Sequence, residues 1–276
     1  MSPVISLAYL TSAPFNPPEQ IALAARLGYQ AVGLRIRPAA AGGAFSPLAE
    51  DAALLRGTQA RLRETGIRVL DVEIMRIGPE FRVADCAAFL DVCSAVEARA
   101  ILVAGDDADE ARFTGSYAAF CEAAARHGVT ANLEFMPWTK VPDAKTALRI
   151  VSKAAQPNGR VLVDTLHVAR SATTLADIAA LRDHVSYAQV CDAPAEIPAT
   201  HEGLIHTARN ERLLPGDGGI DLLGILAQLP RDLPISPEVP NDVRKAEIGV
   251  EEWSRRALAA TRALLARRDA RADAQT

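Results

Sequence analysis

Apolar positions along this chain switch period repeatedly, from two to nearly four and back. Compact or alternating apolar runs at residues 4–10, 30–36, 67–75, 100–104, 129–135, 160–164, 185–190 and 235–239 read as strands. Between them, apolar residues at helical spacing predict helices over 18–27, 47–65, 82–97, 114–127, 143–155, 175–182, 220–229 and 251–266. Gly28, Gly66 and Gly128 stand where three of these helices must stop, in the left-handed turn that glycine takes most easily. Eight strand–helix units predict a parallel sheet covered by helices. At this length they fit a closed (β/α)8 TIM barrel, class α/β, better than an open doubly wound sheet. No GxGxxG follows the first strand, which weakens a dinucleotide-binding reading.

The turns are short except after the second and seventh strands. Segment 191–219 is long and polar, with no clear periodicity. A loop of that length in a compact domain is usually functional or disordered. One barrel domain is expected over 1–266, with 267–276, which holds only small and polar or charged residues, as a disordered tail.

In a barrel, function collects at the carboxyl ends of the strands. The fifth strand puts Leu133 and Phe135 on one face and Asn132 and Glu134 on the other. A carboxylate on a strand buried on both sides needs a partner. The sixth strand ends in Asp164, the seventh sets Gln189 beside Tyr187, and the eighth sets Glu238 beside Ser236. A single acid at a strand end is commonly just a solvated surface residue, but four successive strands ending this way suggest convergence. Three carboxylates that close cannot all stay ionised without a compensating cation. Glu134, Asp164, Gln189 and Glu238 are therefore the expected ligands of one divalent metal ion. An all-oxygen set suits a hard ion, Mn²⁺ or Mg²⁺ first, with Co²⁺ or Zn²⁺ as alternatives.

Composition narrows the partners. The chain is 49% hydrophobic, enough for a full core, and its net charge of −4 argues against a nucleic-acid backbone as partner. The first residues lack the basic and cleavage-site features of a signal peptide, and no apolar run reaches membrane-spanning length. Cys86, Cys93, Cys121 and Cys191 form no CxxC pair and read as buried thiols, so a cytoplasmic location is expected.

The motifs Asn-Leu-Glu-Phe at 132–135, Val-Asp-Thr-Leu-His at 163–167, Tyr-Ala-Gln-Val-Cys-Asp at 187–192, Arg-Leu-Leu-Pro-Gly-Asp-Gly-Gly at 212–219 and Ser-Pro-Glu-Val at 236–239 together resemble the xylose-isomerase-like TIM-barrel superfamily. That group includes sugar-phosphate isomerases and epimerases, ketose 3-epimerases, inosose-processing enzymes, 3-dehydroshikimate dehydratases and AP endonuclease family 2. The resemblance implies a metal held by Glu, Asp, His and Glu in the epimerase branch. Here Gln189 stands in the histidine's place, which looks more like some dehydratase-type members. The family's endonucleases use several further histidines for a multi-zinc cluster; with five histidines in all, few of them at strand ends, DNA repair is not expected. Carried over by the resemblance, Glu134 and Glu238 act as acid and base on opposite faces of the substrate, and His167 lies near it.

Other residues offer substrate contacts. Arg35, late on the second strand, can clamp a carboxylate or phosphate or simply pair with Glu73, late on the third; Glu73 is itself a candidate partner for a substrate hydroxyl. Arg209 and Arg212 on the long loop are candidates to grip an anionic group, with solvated surface arginines as the plain alternative. Trp138 can wall the pocket, and Arg170 falls one turn beyond His167. The resulting expectation is a metal-dependent isomerase or epimerase of a sugar or sugar phosphate, acting through an enediolate. One alternative is a 3-dehydroshikimate-dehydratase-like lyase on a cyclic hydroxy-keto acid; another is a ligand-binding barrel without turnover. The expected partner is a small polyhydroxylated or anionic carbonyl compound, with no nucleic acid and no membrane, and a homo-oligomer is compatible with the sequence.

Overall fold

In the computed structural model, which describes residues 3–274, eight parallel strands lie side by side in chain order. They are β1 (Ser6–Leu7), β2 (Ala31–Arg35), β3 (Arg68–Ile77), β4 (Ala100–Gly105), β5 (Thr130–Glu134), β6 (Gly159–Asp164), β7 (Val185–Val190) and β8 (Ile235–Pro237). An isolated parallel bridge from Ile5 to Ile235 brings the last strand back to the first. The (β/α)8 barrel predicted from the alternation is the fold.

The main helices that cover it are α2 (Pro17–Leu27), α3 (Ala52–Thr65), α4 (Ala87–Ala95), α5 (Glu110–Ala125), α6 (Ala144–Ala154), α8 (Leu175–Ala180), α10 (Leu222–Gln228) and α12 (Val250–Asp273). The remaining α-helices, which follow strands at the carboxyl side, are α1 (Tyr9–Ser12), α7 (Thr165–Arg170), α9 (His201–Asn210) and α11 (Asp242–Ile248). Local chemistry sets the helix ends. Asn16 and Glu19 form a capping box before α2, and Gly28 ends it at φ +87°. Asp51 caps α3 by accepting from the N–H groups of Ala53 and Leu54, so that helix starts at Ala52 rather than at 47. Asp109 does the same for α5, which begins at Glu110, ahead of the expected 114.

Three expectations need correction. The first strand shrinks to two residues because the chain turns into α1 at Tyr9. Segment 191–219 is not an irregular loop: Thr200 caps α9, whose Leu204 and Ala208 are buried. The stretch expected to fray is helical as far as Asp273. There Arg231 pairs with Asp269 and Asp273 at 3.5 and 3.4 Å, and Arg268 is buried. Residues 275 and 276 of that expected tail lie outside the described residues.

Two apolar layers follow from the period-2 alternation. Leu133, Phe135, Val161, Val163, Ile101 and Val103 point outward into the layer between barrel and helices, where the largest core cluster lies. Burying one such side chain stabilises the fold by roughly 1.5–3 kcal/mol. Ala100, Leu102, Ala104, Leu162 and Tyr187 form a smaller cluster with Leu70 and Ile74. Polar groups interrupt it. Asp71 is buried with Oδ1 unpartnered, and a Cβ on Gly33 would come within 2.7 Å of that oxygen, so glycine there leaves the Asp71 carboxyl group its place. Burial, with Glu73 and Glu238 nearby, raises the Asp71 pKa well above the usual carboxylate range and favours the neutral acid. All four cysteines are buried and free, and no helix among the described residues is long and apolar enough to cross a membrane.

Candidate active site

The carboxyl ends of β5 to β8 bring Glu134, Asp164, Gln189 and Glu238 to one end of the barrel, all buried. Register carries this convergence: Asp164 lies opposite Gln189, and Gln189 opposite Ser236, two residues before Glu238. A narrow cavity of about 60 Å³ opens there, lined in part by Glu73, Glu134, Trp138, His167 and Glu238. Larger hollows of about 370 and 340 Å³ lie at the amino ends of the strands, on the other side of the barrel. They gather no cluster of acids, so size does not mark the site.

Each acid has a distinct environment. Asp164 caps α7 by accepting from the Leu166 N–H at 2.8 Å, while its Oδ2 lies 2.6 Å from Arg212 Nη1. Burial alone would raise its pKa, but Arg212, His167 and the Leu166 N–H outweigh that, and Asp164 is held below the usual range. Glu134 has no such partner. Burial and the charges of Asp164 and Glu238 push it well above its ordinary value. Glu238 is pushed to about 7, by burial first and then by Glu73 and Asp164, with Arg212 opposing. Its Oε1 accepts from Gln189 Nε2 at 3.1 Å, and its Oε2 meets Arg212 Nη2 at 2.9 Å.

His167 sits on α7 one turn beyond Asp164. Its Nε2 approaches Glu134 Oε1 at 3.6 Å and Asp164 Oδ2 at 3.7 Å, and its ring meets Trp138 edge-on at 5.0 Å between centroids. Burial lowers its pKa to about 4, so the imidazole is neutral near pH 7. One potential ligand atom each from Glu134, Asp164 and His167 lies within 4.8 Å of the others. The sequence pointed to a metal set in which Gln189 and Glu238 accompany Glu134 and Asp164; in the structure His167 also brings a ligand atom to Glu134 and Asp164.

The residues fit a divalent cation on two independent counts. Gln189 Oε1 is a buried acceptor without a hydrogen-bond partner, an arrangement that costs about 1–3 kcal/mol unless something binds it. Charge gives the second count. Glu134, Asp164 and Glu238 share a single buried arginine, Arg212, which pairs with Asp164 and Glu238 and leaves Glu134 without a counter-charge of its own.

The remaining candidates fall in different places. Arg35 pairs with Glu73 at 2.7 Å and lies 4.6 Å from the Tyr9 ring centroid, so the ion-pair alternative holds while both residues still line the cavity. Arg209 also lines the cavity, from α9. Arg212 does not reach down from a loop surface. It is 2% exposed and lies between Asp164 and Glu238, because an antiparallel bridge between Asp192 and Leu213 folds its segment inward. Asp192 organises the Gly-rich run after it by accepting from the N–H groups of Gly216 and Ile220. A Cβ on Gly218 would lie 2.3 Å from the Ala193 carbonyl oxygen, so only glycine fits. Arg170 is outside the cavity lining and donates to the Pro194 carbonyl at 2.6 Å, tying down the segment after β7. Sequence reasoning missed Arg76, which lines the cavity beyond the expected end of the third strand, and Tyr9 under Arg35.

Comparison with known proteins agrees with this architecture. Residues 21–264 match a family model described as xylose isomerase-like TIM barrel. Among solved structures, a xylose isomerase-like TIM barrel/4-hydroxyphenylpyruvate dioxygenase fusion protein superposes with a TM-score of 0.77 at 20% identity; the match covers 94% of this chain but 42% of that one. IolI protein crystallised with a zinc atom superposes with a TM-score of 0.78 at 16% identity, over 95% of this chain and 98% of that one. D-allulose 3-epimerase from Methylomonas sp., in complex with D-allulose, gives 0.69 at 14% identity, over 95% and 96%. At these identities the likeness is one of fold. No curated protein sequence matches the chain.

Proposed function

Because the chain belongs to the xylose isomerase-like TIM-barrel family, we propose that it is a divalent-metal-dependent isomerase or epimerase of a small hydroxylated carbonyl compound, a sugar or sugar phosphate. The observation that carries the reading is the meeting of Glu134, Asp164 and His167 ligand atoms within 4.8 Å, beside the unpartnered Gln189 Oε1. Glu134, Asp164, Gln189 and Glu238, with His167 close by, would hold the ion, Mn²⁺ or Mg²⁺ first. When bound, such an ion supplies Lewis-acid polarisation of a carbonyl oxygen.

The chain's own groups supply the proton chemistry. Glu238, a carboxylate on the cavity wall oriented by Gln189 and Arg212, is the candidate to take and return a proton. Glu134 approaches the cavity from β5, so the two carboxylates can address a substrate from different sides. Neutral His167 can donate to or accept from a substrate oxygen, held in place by Trp138. The D-allulose 3-epimerase of the same fold supports a ketose-like substrate. Gln189 supports a second reading, dehydration of a cyclic hydroxy-keto acid, because it presents a neutral oxygen where the epimerase branch resembled by the sequence has imidazole.

Both reactions remove a proton next to a carbonyl, and one experiment separates them. Mn²⁺-loaded protein in D₂O is expected to introduce deuterium at the carbon next to the carbonyl of a ketose or ketose phosphate. Loss of water from 3-dehydroshikimate, with a new aromatic absorbance and no ketose exchange, would favour the lyase. Neither exchange nor dehydration would leave a binding protein without turnover.

A further inference from the structure

We propose that Arg209, flanked by Arg35 and Arg76, forms a subsite for one anionic group of the substrate, a carboxylate or a phosphate ester. The inference rests on the reading of this cavity as a catalytic site and names the class of substrate it takes.

Four arginines line the cavity: Arg35, Arg76, Arg209 and Arg212. Three are engaged by carboxylates. Arg212 spans Asp164 and Glu238, Arg76 makes a two-point pair with Asp106 at 2.7 and 2.8 Å, and Arg35 meets Glu73 at 2.7 Å. Arg209 has no ion pair or side-chain hydrogen bond among the described residues. Burial and the charges of Arg76 and Arg35 act together to lower its pKa. Arg35 and Arg76 already have carboxylate partners, whereas Arg209 faces them without a counter-charge of its own, and an anion beside it supplies one.

A second observation points the same way. Arg35 Nε is a buried donor without a hydrogen-bond partner, although the same guanidinium is fixed by Glu73 and by the Tyr9 ring. A fixed guanidinium with a free N–H is already oriented for an oxygen anion. Position completes the argument. Arg35 and Arg76 rise from the ends of β2 and β3, while the acids rise from β5, β6 and just past β8. An anion held on the β2–β3 side would leave the rest of the substrate to lie across the cavity toward Glu134 and Glu238. A neutral sugar hydroxyl can accept from Arg35 Nε but leaves the charge of Arg209 uncompensated, which an anionic group does not.

Calorimetric titration of the full chain with inorganic phosphate and, separately, with pyruvate tests the subsite, with Mn²⁺ loading measured in parallel. Arg209 is exposed on α9, so Arg209→Ala should fold as the parent does. The expected result is saturable binding of at least one anion, weakened at least about tenfold by Arg209→Ala. Mn²⁺ content should be unchanged by the substitution. Tighter phosphate binding would identify phosphate esters as the substrate class, and tighter pyruvate binding would identify keto acids. Equal binding by parent and variant, or no saturable binding of either anion up to about 100 mM, would overturn the subsite. Loss of Mn²⁺ loading in both proteins would instead count against the metal reading, whatever the anions do.

Discussion

Glu238→Gln is expected to lower turnover by about 10²- to 10⁴-fold and to leave the fold intact. The side chain keeps its shape: its amide oxygen can still accept from Arg212, and its NH2 can donate to Gln189 Oε1 once the Gln189 amide turns over. What disappears is a carboxylate on the cavity wall that can hold and release a proton. The deuterium-exchange assay reads the loss directly, and circular dichroism checks the fold. Exchange at the parent rate would remove Glu238 from the proton-transfer pair. The same substitution has a stability signature in metal-free protein. The folded pKa of about 7 lies above the ordinary 4.5, so the contribution of Glu238 to stability is complete below about pH 4.5. It is lost as pH rises through about 7. Glutamine stays neutral throughout, and the variant's stability should therefore fall less between pH 5 and pH 8 than the parent's.

Arg212→Met should destabilise the metal-free protein by about 3–5 kcal/mol, the usual cost of removing one partner from a buried ion pair. Asp164 is fully buried, and Arg212 is its closest counter-charge at 2.6 Å. Methionine fills much of the volume but leaves Asp164 and Glu238 facing each other without compensation. A bound dication would supply part of that charge. Added Mn²⁺ should therefore raise the urea midpoint of Arg212→Met more than that of the parent. A variant as stable as the parent without metal would mean that Arg212 does not neutralise these acids.

The barrel was legible because its strands are short and their two faces differ. In β5 the alternation alone separates Glu134 from Leu133 and Phe135, and the observed burial follows it. The convergence of Asp164, Gln189 and Glu238 follows from closure of the sheet, so four strand ends sufficed. Arg212 was less legible. Its burial depends on pairing between Asp192 and Leu213 and on a hydrogen bond from its Nε to the Ala208 carbonyl, contacts that no periodicity encodes. Helix α9 buries only Leu204 and Ala208, one pair four residues apart, too narrow a stripe to stand out in a polar segment. Arg76 was missed because β3 continues to pair at Arg76 and Ile77, past the apolar run that marked its end. His167 was visible as a residue one turn after Asp164, but its closeness to Glu134 depends on how α7 leaves β6.

The central claim is that these strand ends are built around a divalent cation. Elemental analysis of protein purified without chelators, followed by Mn²⁺ titration of chelated protein, tests it most directly. About one ion per chain is expected, taken up again after chelation and lost together in Glu134→Gln and Asp164→Asn. Protein that is metal-free as purified and binds no Mn²⁺ on titration would contradict it.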